Sequence, residues 1–311
     1  MTTGRLAFLT LILVGMGAGW GLTQPLSKIA VSTGHGPWGL IFWQVVIGVV
    51  ILGAIAAATG RGLPLTAPAF KAYAVIAAAG TVLPNAASYA ALAHIPAGVQ
   101  SVLMSLVPMA TFPIALALAL ERFEARRFLG LGLGLAGVLV LVLPEASLPD
   151  RSMLPWVALS ALAVLCYGFE GNYVARWGLG GADAIQVLLG ASLVAAIVTL
   201  PLALATGQFI WPTAGLGAPE WSLIVSSAIH AVIYAGYVWL VGQAGSVFAA
   251  QVGYPVTATG VLWSMAILGE SYSPYFWAAA ALILLGVVLV QPRRVRALAA
   301  VLPIAEDSPR H

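Results

Sequence analysis

The chain has 311 residues, 61% hydrophobic and only 7% charged, with a formal net charge of +3. A soluble domain is about one quarter charged, so a water-soluble globule is excluded. The single cysteine, Cys166, excludes an intramolecular disulfide and has no metal-ligand spacing around it. No metal or other cofactor is expected. A pI near 9.2 would suggest nucleic acid in a soluble protein; in so apolar a chain it reads as basic loops on one side of a membrane, with no nucleic-acid partner.

Ten apolar runs follow in chain order, each of the roughly 17–25 residues that cross a bilayer, within the uncertainty of its ends. They are Leu6–Val31, Pro37–Thr59, Ala69–Ala91, Val99–Leu120, Phe128–Leu143, Leu154–Arg176, Ala184–Ala205, Trp221–Val241, Val247–Leu268 and Tyr275–Val290. None alternates like a barrel strand, so backbone satisfaction in lipid requires helices. The expected fold is all-α and integral to the membrane. The first run is too long for a signal-peptide core, and Gly19-Trp20-Gly21 at its centre makes a poor cleavage site.

Span 1 carries Trp20, Thr23, Gln24 and Ser27 on one face, and Lys28 near its end, where snorkelling is the default. Pro25 and, in span 3, Pro84 are expected to break their helices. Asn85 and Tyr89 share a face of span 3. Pro108 in span 4 removes a backbone hydrogen bond and should kink it. Span 5 contains GLGLGLAG, with a GxGxxG at Gly132, Gly134 and Gly137. No strand precedes it, so close helix packing through small residues is preferred to a dinucleotide site. The links around Glu145–Arg151 and Gln208–Glu220 read as turns.

Span 6 places Tyr167, Glu170 and Tyr173 within two turns. Glu170 is about 9 Å from that helix end; it can carry a proton, bind an ammonium group or snorkel. His230, Tyr234 and Tyr237 recur at i, i+4 and i+7 on span 8, and Gln251, Tyr254 and Pro255 share a face of span 9. Polar groups in hydrocarbon are costly unless they face protein or water, so these faces should point inward. Interhelical hydrogen bonding without substrate contact is the other reading, for Asn85, Thr23 and Gln251 above all.

The chain also repeats itself. Trp20-Gly21, Gly98 and Pro108 recur 147 residues on as Tyr167-Gly168, Gly245 and Pro255. With two residues of slip, Glu121 recurs as Glu270 and Leu133–Val142 as Leu282–Gln291. The expected organisation is a first five-helix repeat, 1–148, a second, 149–292, and a basic cytoplasmic tail, 293–311. With the N-terminus inside, Arg5, Arg61, Lys71, Arg122, Arg126, Arg127, Arg176, Arg293, Arg294, Arg296 and Arg310 are cytoplasmic, against Arg151 alone outside. That asymmetry puts both termini in the cytoplasm. Five spans per repeat then invert the second repeat relative to the first.

Gly-Trp-Gly in span 1, Gly98 to Pro108 with the helix ending Leu120-Glu121-Arg122, and Gly245 to Pro255 with the helix ending Leu268-Gly269-Glu270 resemble the drug/metabolite transporter superfamily, EamA type. The resemblance covers residues 5 to 292. It implies ten helices in two inverted repeats around a cavity lined mainly by spans 1, 3, 4, 6, 8 and 9, with 5 and 10 peripheral. Tyr167, Asn172, Ala175 and Arg176 resemble the sixth helix of the bacterial aromatic-amino-acid exporters.

The chain shows no HExxH, no paired intramembrane aspartates and no serine-protease elbow around Ser192, so an enzyme is not expected. A channel would want a ring of like groups or a re-entrant filter. The expected function is secondary export of small metabolites by alternating access in the inner membrane. Amino acids with aromatic or large apolar side chains are the leading substrates; a drug or cation carrier is the alternative. The expected substrate contacts are Trp20, Gln24, Asn85, Tyr89, Tyr167, Glu170, His230, Tyr234, Tyr237 and Tyr254, with hinges at Pro108 and Pro255. Proton coupling through Glu170 or His230 is open, and the expected assembly is a monomer or weak dimer.

Overall fold

The structure, a computed structural model, describes residues 3–143, 148, 150–211, 215–244 and 246–290. Gly245, Glu145 and the tail 293–311 with its arginines lie outside the described residues.

Every regular element among the described residues is helical. Spans 1 and 2 are α1 (Thr3–Val31) and α2 (Pro37–Ala58). Span 3 is α3 (Ala67–Ile76), a π-helical stretch (Ala77–Val82) and α4 (Leu83–Leu92). Span 4 is α5 (Ala97–Met104) and α6 (Val107–Ala117). Spans 5 to 8 are α7 (Ala125–Val142), α8 (Leu154–Trp177), α9 (Ala184–Ala205) and α10 (Ala218–Ala244). Span 9 is α11 (Ser246–Ala249), a 3-10 turn (Ala250–Val252) and α12 (Gly253–Leu268), and span 10 is α13 (Pro274–Val290). Among the described residues, seven segments are long and apolar enough to cross a membrane; α12 and α13 are apolar but shorter.

Local chemistry sets the helix ends. The Thr66 hydroxyl accepts from Ala69 N and starts α3. Asp183 and Gln186 form a reciprocal capping box at α9. Gly269, at φ 68°, ends α12 in the left-handed region.

The prolines act unequally. Span 4 breaks between Met104 and Val107, one residue ahead of Pro108, and span 9 is irregular up to Gly253, two residues ahead of Pro255. A proline offers no N–H to the preceding turn, so the ladder opens there. Ahead of Pro84 the ladder shifts register instead: Leu83 N–H donates to Ala78 O, five residues back. The break expected at Pro25 does not occur. α1 runs unbroken through it, wedged between α10 and α12.

Packing interleaves the two halves. α1 packs on α10 and α12, whereas α8 packs on α4 and α6; α2 packs on α9, and α7 on α13. Each of these interfaces joins one element from each repeat. The α7–α13 seam is glycine-lined: a Cβ on Gly137 would lie 2.6 Å from Ile283 Cγ1 and 2.9 Å from Ala279 O, and one on Gly130 2.7 Å from Gly286 O. Gly132 faces open space, whereas a Cβ on Gly134 would meet Met109 of α6, so the packed positions are Gly130 and Gly137 against α13 and Gly134 against span 4.

Candidate functional site

Two adjoining chambers lie among the helices. The first, of about 340 Å³, is reached by Ser27, Gln44, Asn85, Ser88, Tyr89, Gln100, Ser192, Ser226, Ser227 and Tyr234. The second, of about 570 Å³, is reached by Ser105, Pro108, Tyr237, Tyr254, Leu284 and Val287. They share Trp20, Thr23, Gln24, Met104, Tyr167, Glu170 and His230. Pockets of this size suit small organic molecules.

All ten sequence-selected contact residues therefore line one or both chambers. Pro108 lines the second, whereas Pro255 packs against α1, its ring where a Cβ on Gly17 would fall. The helices of spans 2 and 7 also contribute, through Gln44 and Ser192, and span 10 through Leu284 and Val287. These were not singled out in the sequence, because one amide or hydroxyl on an apolar helix makes no pattern. α7 gives nothing to either chamber.

Several lining groups are already paired. Tyr89 donates to Gln44 at 2.7 Å, Tyr167 reaches Asn85 at 3.4 Å, and Gln100 joins Ser88 to Ser160. Asn172 donates to Thr111 O and Gly168 O and serves packing. Others are open. Among the described residues, Glu170 and His230 make no hydrogen bond, and Trp20 Nε1 is buried without a partner. The Trp20 ring lies 5.9 Å from that of His230 and 5.8 Å from that of Tyr237. Gly80 makes room for Glu170: a Cβ there would lie 2.6 Å from the carboxyl carbon.

Hydrogen bonds link separate helices at the end of the bundle poor in arginine. Lys28 Nζ donates to Leu92 O and Ile95 O at 2.6 and 2.9 Å. It does not snorkel; it caps the Leu92 carbonyl at the end of span 3 and the Ile95 carbonyl of the turn that follows. The Glu270 carboxylate accepts from Ala97 N and Gly98 N at the start of α5, at 2.8 and 3.1 Å, and from the Tyr272 hydroxyl. Burial, and then the hydrogen bond to Glu270, push the Tyr272 phenol up from its ordinary value. His35 Nε2 donates to Glu220 at 2.6 Å across the same end, and this bond holds Glu220 below the usual carboxylate range. At the arginine-rich end Arg61 pairs with Asp183, and Arg127 pairs with Glu121 and lies 4.0 Å over the Phe112 ring. The two repeat-related glutamates thus take different partners: Glu270 a helix N-terminus, Glu121 an arginine.

The EamA-like transporter family matches residues 7–143 and 154–291, once in each half. An uncharacterized protein of Pseudomonas aeruginosa is 32% identical over 224 residues, covering 71% of this chain and 74% of its own length. A protein crystal structure aligns at a TM-score of 0.61 with 22% identity, over 91% of this chain and 97% of its own, a likeness of fold.

Proposed function

The chain belongs to the EamA-like transporter family, and from that premise we propose that it is a secondary carrier exporting amino acids with aromatic or large apolar side chains. The family is one of membrane transporters; the substrate, the direction and the ten-span topology are our reading. One observation carries it: polar and aromatic faces from five separate spans meet in one pair of chambers inside an apolar bundle. Trp20, Tyr234 and Tyr237 offer ring faces to an apolar side chain. Glu170 is free to take an ammonium group, and the unpartnered Trp20 N–H to donate to a carboxylate. Pro108 and Pro255 stand beside the breaks of spans 4 and 9 and suit hinges on which half-helices rock. The basic loops support an inner-membrane carrier with both termini in the cytoplasm.

The free Glu170 carboxylate favours a second reading, an organic-cation carrier. Proteoliposomes given a radiolabelled panel separate the two. Saturable counter-flow of phenylalanine, tryptophan and leucine is expected. Movement of quaternary cations with neutral amino acids ignored would replace the substrate class and leave the carrier standing.

A further inference from the structure

A third hollow lies outside the chambers, in the cleft between span 3 and α8. It measures about 740 Å³ and is walled by Ala74, Ala78 and Leu83 facing Leu165, Cys166 and Phe169, with Lys71 and Trp177 at the arginine-rich end. Alanines opposite larger side chains create the space. Ala78, Leu83, Leu165, Phe169 and Trp177 are exposed along it.

Three features identify what fills it. Both walls belong to membrane-crossing segments, Ala67–Leu92 and Arg151–Trp177, so the groove opens onto lipid. Lys71 to Leu83 on one wall and Trp177 back to Leu165 on the other are each twelve residue steps apart. That is about 18 Å of helix, close to one leaflet of a hydrocarbon core about 30 Å thick. Lys71 is the one charged residue of the lining, is exposed, and has no hydrogen bond or ion pair among the described residues. Its cation sits where a lipid phosphate would lie, beside an interfacial tryptophan.

We propose that this groove binds an anionic phospholipid of the leaflet at the arginine-rich end, its phosphate on Lys71 and one acyl chain along the seam. The wall behind it is one residue thick. Ala79, Cys166 and Phe169 face the groove, and the next residues, Gly80, Tyr167 and Glu170, face the first chamber. A bound chain therefore buttresses the wall that carries Glu170. The inference needs the membrane location and no particular substrate.

The test is native mass spectrometry of the full-length protein titrated with phosphatidylglycerol or phosphatidylcholine of identical chains. The wild type is expected to prefer phosphatidylglycerol. Lys71→Gln should lower that preference about fivefold, the worth of one basic group at a membrane surface. Ala78→Phe should reduce retention of both lipids. An unchanged preference in Lys71→Gln, or undiminished retention in Ala78→Phe, overturns the proposal. Should either variant fail to fold, wild-type Cys166, the chain's one cysteine, reports instead. Its alkylation by N-ethylmaleimide should be slower with phosphatidylglycerol than with phosphatidylcholine, and equal rates overturn the proposal.

Discussion

His230 shows how much a single residue discloses from its position in the sequence. Its spacing with Tyr234 and Tyr237 put it on an inward face, and it does open into both chambers. The physical reason is the cost of a polar group in hydrocarbon, which leaves an imidazole few other places. Partners were not legible: Asn85 and Tyr89 also face the chamber, yet their bonds to Tyr167 and Gln44 come from other helices. Open groups should bind substrate and paired ones should hold the wall. His230→Ala should therefore weaken apparent substrate affinity about 5- to 150-fold, the range for one buried hydrogen bond. The melting temperature should stay near wild type. Normal affinity with lowered stability, measured on one purified sample, would assign His230 to packing. The His35–Glu220 pair makes a pH prediction. Glu220 is held low in the folded state, so the pair stabilises above the ordinary carboxylate value of about 4.3. That contribution disappears as pH falls through the lowered value. Glu220→Gln should lower the melting temperature at neutral pH and leave the acid limit nearly unchanged, so that the fall on acidification becomes shallower. Superimposable profiles would show that the pair contributes nothing.

Elements were legible where their cause is local and obscure where it is not. The runs of apolar residues gave helix positions to within a few residues, because length and apolarity suffice for a span. Pro108 and Pro84 mark real irregularities, of two different kinds. Pro25 marks none, since packing on both sides holds α1 straight. Small residues in span 5 announced close packing, but only the partner helix α13 chooses among them. Gly137→Leu forces a side chain into Ile283 and the Ala279 carbonyl. It should destabilise by about 1–3 kcal/mol, the usual cost of overpacking. Gly132→Leu enters open space and should be near neutral. Thermal unfolding of both variants checks this, and equal losses would refute the Gly130–Gly134–Gly137 register.

At the scale of the whole molecule the repeat is the dominant fact, and the family match falls once on each half. The halves do not stand side by side. α1 belongs structurally with α10 and α12, and α8 with α4 and α6. A conformational change that moves one such group against the other must act on both repeats at once, which suits alternating access around a shared site. The charge asymmetry of the loops makes the orientation testable. Reporter fusions after Arg127 and after Arg294 should read cytoplasmic, and one after Asp150 should read external. A C-terminal fusion reading external would remove both the topology and the inversion.

The sequence alone determined that the chain lives in lipid, where its helices lie, that its halves are related, and most of the residues that turn inward; Tyr173, expected inward, lines the outer groove instead, and Gln251 lines neither chamber. Each of these follows from transfer energies and helical periodicity, which act residue by residue along the chain. The tertiary structure decided which glutamate caps a helix and which pairs with Arg127, and that Lys28 is consumed by carbonyls rather than left free. It decided too that spans 2, 7 and 10 help line the chambers, and that alanines of span 3 leave a groove behind Glu170. Apart from the Glu121–Arg127 pair, six residues apart, those outcomes depend on contacts between residues tens to hundreds of positions apart. Such distances are set by how helices from opposite halves interleave, and no local pattern in the chain encodes them.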